Sequence, residues 1–352
     1  MLIFSNMKKN IIAIVVFFSL LTLQCSKTDT DHRKLTLKES IEESVTQINS
    51  AAVKMSASKG FQLLSVTEDA AKADFGFKDS INLDLVAGIY DYKPDTVSRV
   101  HFYYPYRLFR KTGTSDRLIV NLPEKLVYHP RQLHLHNQSN SRLNNNFRIT
   151  ASDYHFYYNW WNKFDYKLIA GFTLDAEDIG ELSIYTAVNP HAGSIFSTAY
   201  SFPEGYSITK MGQTGDTTKI SFALLQDEDT LLMETVIFFG EGFKRKEKQY
   251  ILSIGNVDIK RGNRIDSIQV YLDGILQEKA GAKIIDTLDY NASICYKRDI
   301  LLMFDDGTTA RLSELISPAH ATLKKLVRSL GEMYLSKQIV DYIAFSIYYN
   351  NH

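Results

Sequence analysis

"FRITASDYHFYYNWWNKFDYKLIAGFTLD", residues 147–175, decides the fold. It contains two runs of period two, 147–158 and 164–175, joined by the turn Asn159–Lys163. Such alternation marks half-buried β-strands, because successive side chains point to opposite faces. In the first run Tyr154, Phe156 and Tyr158 share one face, and His155 and Tyr157 share the other. In the second run Phe164, Tyr166, Leu168, Ala170, Phe172 and Leu174 make a single apolar face. The pair predicts a long hairpin with one face in the core. Its turn carries both tryptophans of the chain, Trp160 and Trp161. A core face does not account for two indoles at a hairpin tip. Flat aromatic rings stack on sugar rings and suit protein or membrane interfaces. Trp160, Trp161, Tyr157 and His155 are therefore candidate ligand-binding residues. The alternative is a tip folded under a helix.

Working outward, strand patterns continue from about residue 75 to 316. Candidates include 81–92, "ELSIYTAV", "SIFSTAYSF", "KISFALLQ", "LLMETVIFF", "QYILSIGNVDI", "IDSIQVYL", "SICYKRDILLMF" and "TARLSEL". Asp273-Gly274 and Asp306-Gly307 suit tight hairpin turns, since glycine accepts positive φ, and residues 226–229 read as another hairpin tip. Helices flank this region. Thr36 and Glu39 form a capping box, an apolar stripe runs from Leu37 through Ile41, Val45, Ile48 and Ala52 to Met55, and Gly60 supplies a stop. At the other end Ser317-Pro318 opens a helix, and further helix follows through Ile339, Val340, Ile343 and Ile347. Asp341 within that last segment argues against a membrane span. The expected class is mainly β (α+β), with an antiparallel β-sandwich-like body between an N-terminal helix (36–60) and C-terminal helices (317–352). "NPHAG", residues 189–193, divides the body into two β-rich regions, 61–190 and 191–316.

Residues 1–24 read as a secretory signal. Lys8 and Lys9 precede the apolar run 11–23, which is too short to span a bilayer, a task that takes about 20 residues. The run stops at "LTLQCS", with Cys25 just beyond it. That arrangement resembles the lipobox of bacterial lipoproteins, with Gln24 where a small residue is usual. The resemblance covers only about the first 25 residues. It implies acylation of Cys25, a polar tether over 25–35, and attachment to a membrane through lipid. Ser26 after the cysteine suits outer-membrane sorting. The alternative is an uncleaved N-terminal anchor. Of the 40 basic residues, removing Lys8 and Lys9 leaves 38 against 40 acidic ones. No basic field of the kind a nucleic-acid partner requires is present.

Other chemistry is sparsely signalled. His129, His134 and His136 are candidate metal ligands, because positions 134 and 136 share a face in a strand and His129 can complete a set across a turn. A divalent metal there is the one cofactor the sequence suggests. Glu177, Asp178, Asp227, Glu228 and Asp229 are acidic residues of predicted turns. A glycosidase needs two such groups across a cleft. No G-x-S-x-G elbow or phosphate-binding glycine loop occurs. Cys295 lies among apolar strand residues and reads as a small buried side chain. The expected function is a binding or assembly role in the cell envelope, with a glycan or another envelope protein as partner. A metal- or carboxylate-dependent polysaccharide hydrolase and a structural scaffold are the alternatives.

Overall fold

A computed structural model describes residues 35–65, 80–93, 108–128, 144–159, 163–189, 193–239, 246–262, 268–288, 296–332 and 339–351. Residues Leu37–His352 form one compact unit. The fold is mainly β, with a large antiparallel sheet, an N-terminal helix and C-terminal helices. In chain order the strands are β1 (Ser80–Asn82), β2 (Gly88–Tyr92), β3 (Phe109–Gly113), β4 (Leu118–Leu122), β5 (Phe147–Asn159), β6 (Lys163–Leu174), β7 (Glu177–Asn189), β8 (Gly193–Ser201) and β9 (Tyr206–Thr214). They continue with β10 (Thr217–Gln226), β11 (Asp229–Phe239), β12 (Lys246–Ile254), β13 (Val257–Arg261), β14 (Ile268–Leu272), β15 (Ile275–Leu276), β16 (Gly281–Leu288), β17 (Tyr296–Met303) and β18 (Thr309–Arg311).

From β5 to β15 each strand pairs with the next, so the sheet is a meander of hairpins. This is the topology that short connections favour. β4 and β1 share one edge of β5, pairing with its first and second halves. β2 runs parallel to β4, and β3 closes that side. β16–β18 make a separate three-stranded sheet. The expected division near residue 190 falls between β7 and β8, which pair from Glu181↔Ser201 to Asn189↔Gly193 in one sheet.

Alternation sorts the sheet into an inward and an outward face. In β5 the inward residues before Ser152 are Phe147, Ile149 and Ala151, and after it Tyr154 and Phe156. A bulge between Ala151 and Asp153 supplies the extra residue that changes parity. Tyr166, Leu168, Ala170, Phe172 and Leu174 of β6 are fully buried on the same side, as the pattern predicts.

Helices cover that inward face. The first, α1 (Leu37–Ala57), buries the stripe from Leu37 to Met55 over β11–β13. Each such side chain taken from water contributes roughly 1.5–3 kcal/mol. Gly60 does not end this helix. The break is Ser58, whose hydroxyl donates to the Met55 carbonyl (2.7 Å) and accepts from the Phe61 N–H (3.1 Å). It thereby caps α2 (Lys59–Leu64). Gly60 serves close packing instead, since a Cβ there would lie 2.5 Å from the Ile179 carbonyl oxygen. Within 81–92 the single strand expected from sequence is interrupted by a helical turn, α3 (Leu83–Val86). A short α4 (Glu124–Tyr128) follows β4, and residues expected to extend the last strand form α5 (Leu312–Leu315). The chain closes with α6 (Ser317–Glu332), packed on α1 and on β8–β9, and α7 (Asp341–Asn351).

One polar cluster fixes α7. Tyr154 and Tyr166, adjacent on β5 and β6, both donate to Asp341 Oδ1, at 3.2 and 2.9 Å. All three are buried. Burial, then the negative charge of Asp341, push the Tyr154 hydroxyl well above its ordinary range, so it stays a donor. Phe345, one turn further along α7, meets Phe156 edge-to-face at 5.0 Å. Among the described residues no helix is long and apolar enough to cross a membrane.

Candidate functional site

In a meander, alternate hairpin tips emerge at the same end of the sheet. The β5–β6, β7–β8 and β9–β10 tips do so here, and between them lies an open pocket of about 450 Å³. Tyr157 and Asp165, directly paired across β5 and β6, form one side. Asn189 and Gly193 close the β7–β8 hairpin, and Ile195 and Gln213 pair across β8 and β9 to form the other side. Lys163, Phe164, Ser194 and Thr214 complete most of the lining.

The far wall is locally fixed. Thr214 Oγ1 accepts the Ser194 backbone N–H at 3.0 Å and sits 2.6 Å from Ser194 Oγ. Gly193 takes φ +87°, and a Cβ there would lie 1.8 Å from the Thr214 carbonyl oxygen, so no other residue fits without displacing β9. On the near wall Asn159 donates to the Tyr157 hydroxyl at 3.3 Å. His155 stands one outward position along β5 from Tyr157. Its Nδ1 meets Asn82 Oδ1 at 2.5 Å, and its Nε2 lies 4.0 Å from Asp165 Oδ2. His155 thus lies beside Asp165 and does not line the pocket.

This arrangement presents an aromatic ring beside a carboxylate, two carboxamides, hydroxyls and an ammonium, all reachable from solvent. Such a set offers donors and acceptors at several angles together with a flat apolar surface. Among the described residues it contains no paired carboxylates and no nucleophile–base couple.

Of the residues singled out from sequence, Tyr157 lines the pocket and His155 lies outside its lining. Trp160 and Trp161 lie outside the described residues, and the sequence places them between the lining residues Tyr157 and Lys163. Cys25, His129, His134, His136 and Cys295 also lie outside the described residues. Among the described residues no group of three His, Cys, Asp or Glu side chains is placed to hold a metal ion. The acidic turn residues are dispersed. Asp178 Oδ1 accepts the Gly180 N–H (2.9 Å), whereas Asp227 and Glu228 form the β10–β11 turn. Four strand spacings of about 4.8 Å separate the two turns, roughly 19 Å along the sheet. The carboxylate pairs of glycosidases sit about 5–9.5 Å apart. Asp165, Asn189, Ser194, Gln213 and Thr214 were not singled out from sequence. The usable signal was the hairpin count, which puts the tips at 160, 190 and 215 at one end.

No protein-family model, curated protein or solved structure matches this chain.

Proposed function

We propose that this chain is a lipid-anchored cell-envelope protein that binds glycan in the hairpin-tip pocket. The anchor rests on Cys25 at the end of the apolar run 11–23. The ligand class rests on one observation, the juxtaposition of Tyr157 with Asp165, Asn189 and Gln213 around an open cleft. Sugars present hydroxyls in every direction around an apolar ring face. Carboxylates and carboxamides pair with the hydroxyls, and an aromatic ring stacks on the face. Trp160 and Trp161, adjoining in sequence, extend the stacking surface in this reading. An open cleft suits a segment of a longer polymer, which enters and leaves at either end.

Calorimetric titration of the full chain in detergent with chitohexaose, cellohexaose and maltohexaose tests the reading. Binding is expected with at least one, and Tyr157→Ala is expected to weaken it tenfold or more. That factor corresponds to about 1.4 kcal/mol. Absence of binding at millimolar sugar, or equal binding by Tyr157→Ala and Gln213→Ala, overturns it.

A further inference from the structure

On the outward face of the sheet the pocket follows one cross-strand row. Tyr157, Asp165, Ala187, Ile195 and Gln213 pair in succession from β5 to β9, and all five line the pocket. The next outward row on the same strands is His155, Lys167, Tyr185, Ser197 and Met211. In it Tyr185 is 41% exposed, although it lies within β7 and one outward position from the lining residue Ala187. Its outward neighbours along β7 are Ser183 and Ala187, and Ser197 stands beside it on β8. These small side chains leave the tyrosine ring accessible. Its neighbour on β6, Lys167, is held by Asp153 at 2.5 Å.

We infer that Tyr185 is a second stacking platform for the glycan held in the pocket, and that this glycan is an extended β-1,4-linked chain. The inference rests on the glycan reading of the pocket and adds to it a linkage class and a residue outside the lining. Its basis is the spacing of the two tyrosines, which stand two strands and one row apart. Two strand spacings make about 9.6 Å and one row about 6.8 Å, so the Cα atoms lie roughly 12 Å apart on a diagonal. In a β-1,4-linked chain each sugar is turned over relative to the one before. The same ring face therefore recurs at every second sugar, a repeat about as long as two strand spacings, roughly 10 Å. The two tyrosines stand within side-chain reach of that repeat, so each can stack on the same face of alternate sugars.

The strand between them suits the intervening sugar. Asp165 and Lys167 are the outward residues of β6 that flank the diagonal, one in each row. Hydroxyls at the edges of that sugar meet a carboxylate acceptor on one side and an ammonium donor on the other. A coiled α-1,4-linked chain presents no common face along a straight line of this length and meets one ring only. A single exposed apolar side chain is ordinary on a protein surface. Two aromatic rings at a disaccharide spacing, with an acceptor and a donor between them, match one class of ligand.

Calorimetry of the full chain in detergent with cello- and chito-oligosaccharides of increasing length, from disaccharide to hexasaccharide, tests the inference. The trisaccharide is the shortest chain that spans both rings. Affinity is expected to rise at least about fivefold from disaccharide to trisaccharide, the gain that one further stacked ring supplies. Tyr185→Ala is expected to remove that gain and to leave disaccharide binding unchanged. Tyr185→Phe, which keeps the ring, is expected to retain it. The length series on the native chain carries the test even where the alanine variant folds poorly. No gain between disaccharide and trisaccharide, a gain that survives Tyr185→Ala, or maltohexaose as the tightest ligand overturns the inference and leaves glycan binding in the pocket standing. Absence of binding by every sugar overturns the pocket reading, and this inference with it.

Discussion

Replacing Tyr166 by phenylalanine keeps the ring that packs in the core and removes only the hydroxyl. That hydroxyl donates to Asp341 Oδ1 at 2.9 Å, in a site where Tyr166 is 1% and Asp341 6% exposed. A hydrogen bond to a charged group contributes about 1.5–3 kcal/mol, and here water cannot replace it. Tyr166→Phe is therefore expected to lower unfolding stability by about 2 kcal/mol. Tyr154→Phe, which removes the longer 3.2 Å bond to the same oxygen, is expected to cost less. Because both bonds end on one atom, the double variant should deviate from additivity by at least about 0.5 kcal/mol. Urea unfolding followed by far-ultraviolet circular dichroism gives the three values. Hydrogen exchange gives the location, since protection should fall over α7 before it falls over β5 or β6. A loss below about 0.5 kcal/mol for Tyr166→Phe, the range of ordinary surface changes, would refute the view that this cluster fastens the C-terminal helix.

Further outcomes follow from other contacts. Gly60→Ala places a methyl group 2.5 Å from the Ile179 carbonyl oxygen and 2.7 Å from the Tyr200 hydroxyl; a loss of about 1–3 kcal/mol is expected in the same urea assay. Gly193→Ala is expected to abolish sugar binding by displacing β9 at the pocket wall, while the melting temperature falls by only a few degrees; calorimetry and thermal scans separate the two effects. Burial raises the Asp299 pKa, but hydrogen bonds from Ser313 and from the Ile300 N–H outweigh it and hold the carboxyl below the ordinary 3.8. The folded value is the lower one, so its contribution is complete above 3.8 and is lost as pH falls through the folded value. Asp299→Asn is expected to flatten that acid limb of the stability curve, measured by urea unfolding between pH 5 and 2 (roughly the span over which such a group titrates).

The β5–β6 hairpin was legible because its alternation is long and its inward residues are large. Even so, the extra residue at Ser152 left no mark in the alternation of apolar types, since Ala151 and Tyr154 both read as core. β9 was not legible. Its inward positions include Lys210 and Gly212, so period two is broken on the face that should have shown it. The structure explains both exceptions. The Phe196 ring lies over Gly212, where a Cβ would meet it at 2.1 Å, and Lys210 Nζ reaches Gly331 near the end of α6. Such reasons are tertiary and cannot be read locally. The pocket followed the same division. Tyr157 was visible as an aromatic residue on the polar face, whereas Asn189, Ser194 and Gln213 acquire meaning only once β7, β8 and β9 are paired. "NPHAG" lies where proline and glycine mark a break, and a hairpin tip and a domain junction share that chemistry, so sequence alone does not separate the two.

The most direct test of the glycan reading is tryptophan emission of the full chain titrated with the oligosaccharide that binds best. Trp160 and Trp161 are the chain's two tryptophans and are adjacent, so the signal reports one place, next in sequence to Tyr157 and Lys163. The account predicts a saturable change in intensity or wavelength that is lost in Tyr157→Ala. Emission unchanged by a sugar that calorimetry shows to bind would put the binding site elsewhere on the molecule and contradict the assignment of this pocket.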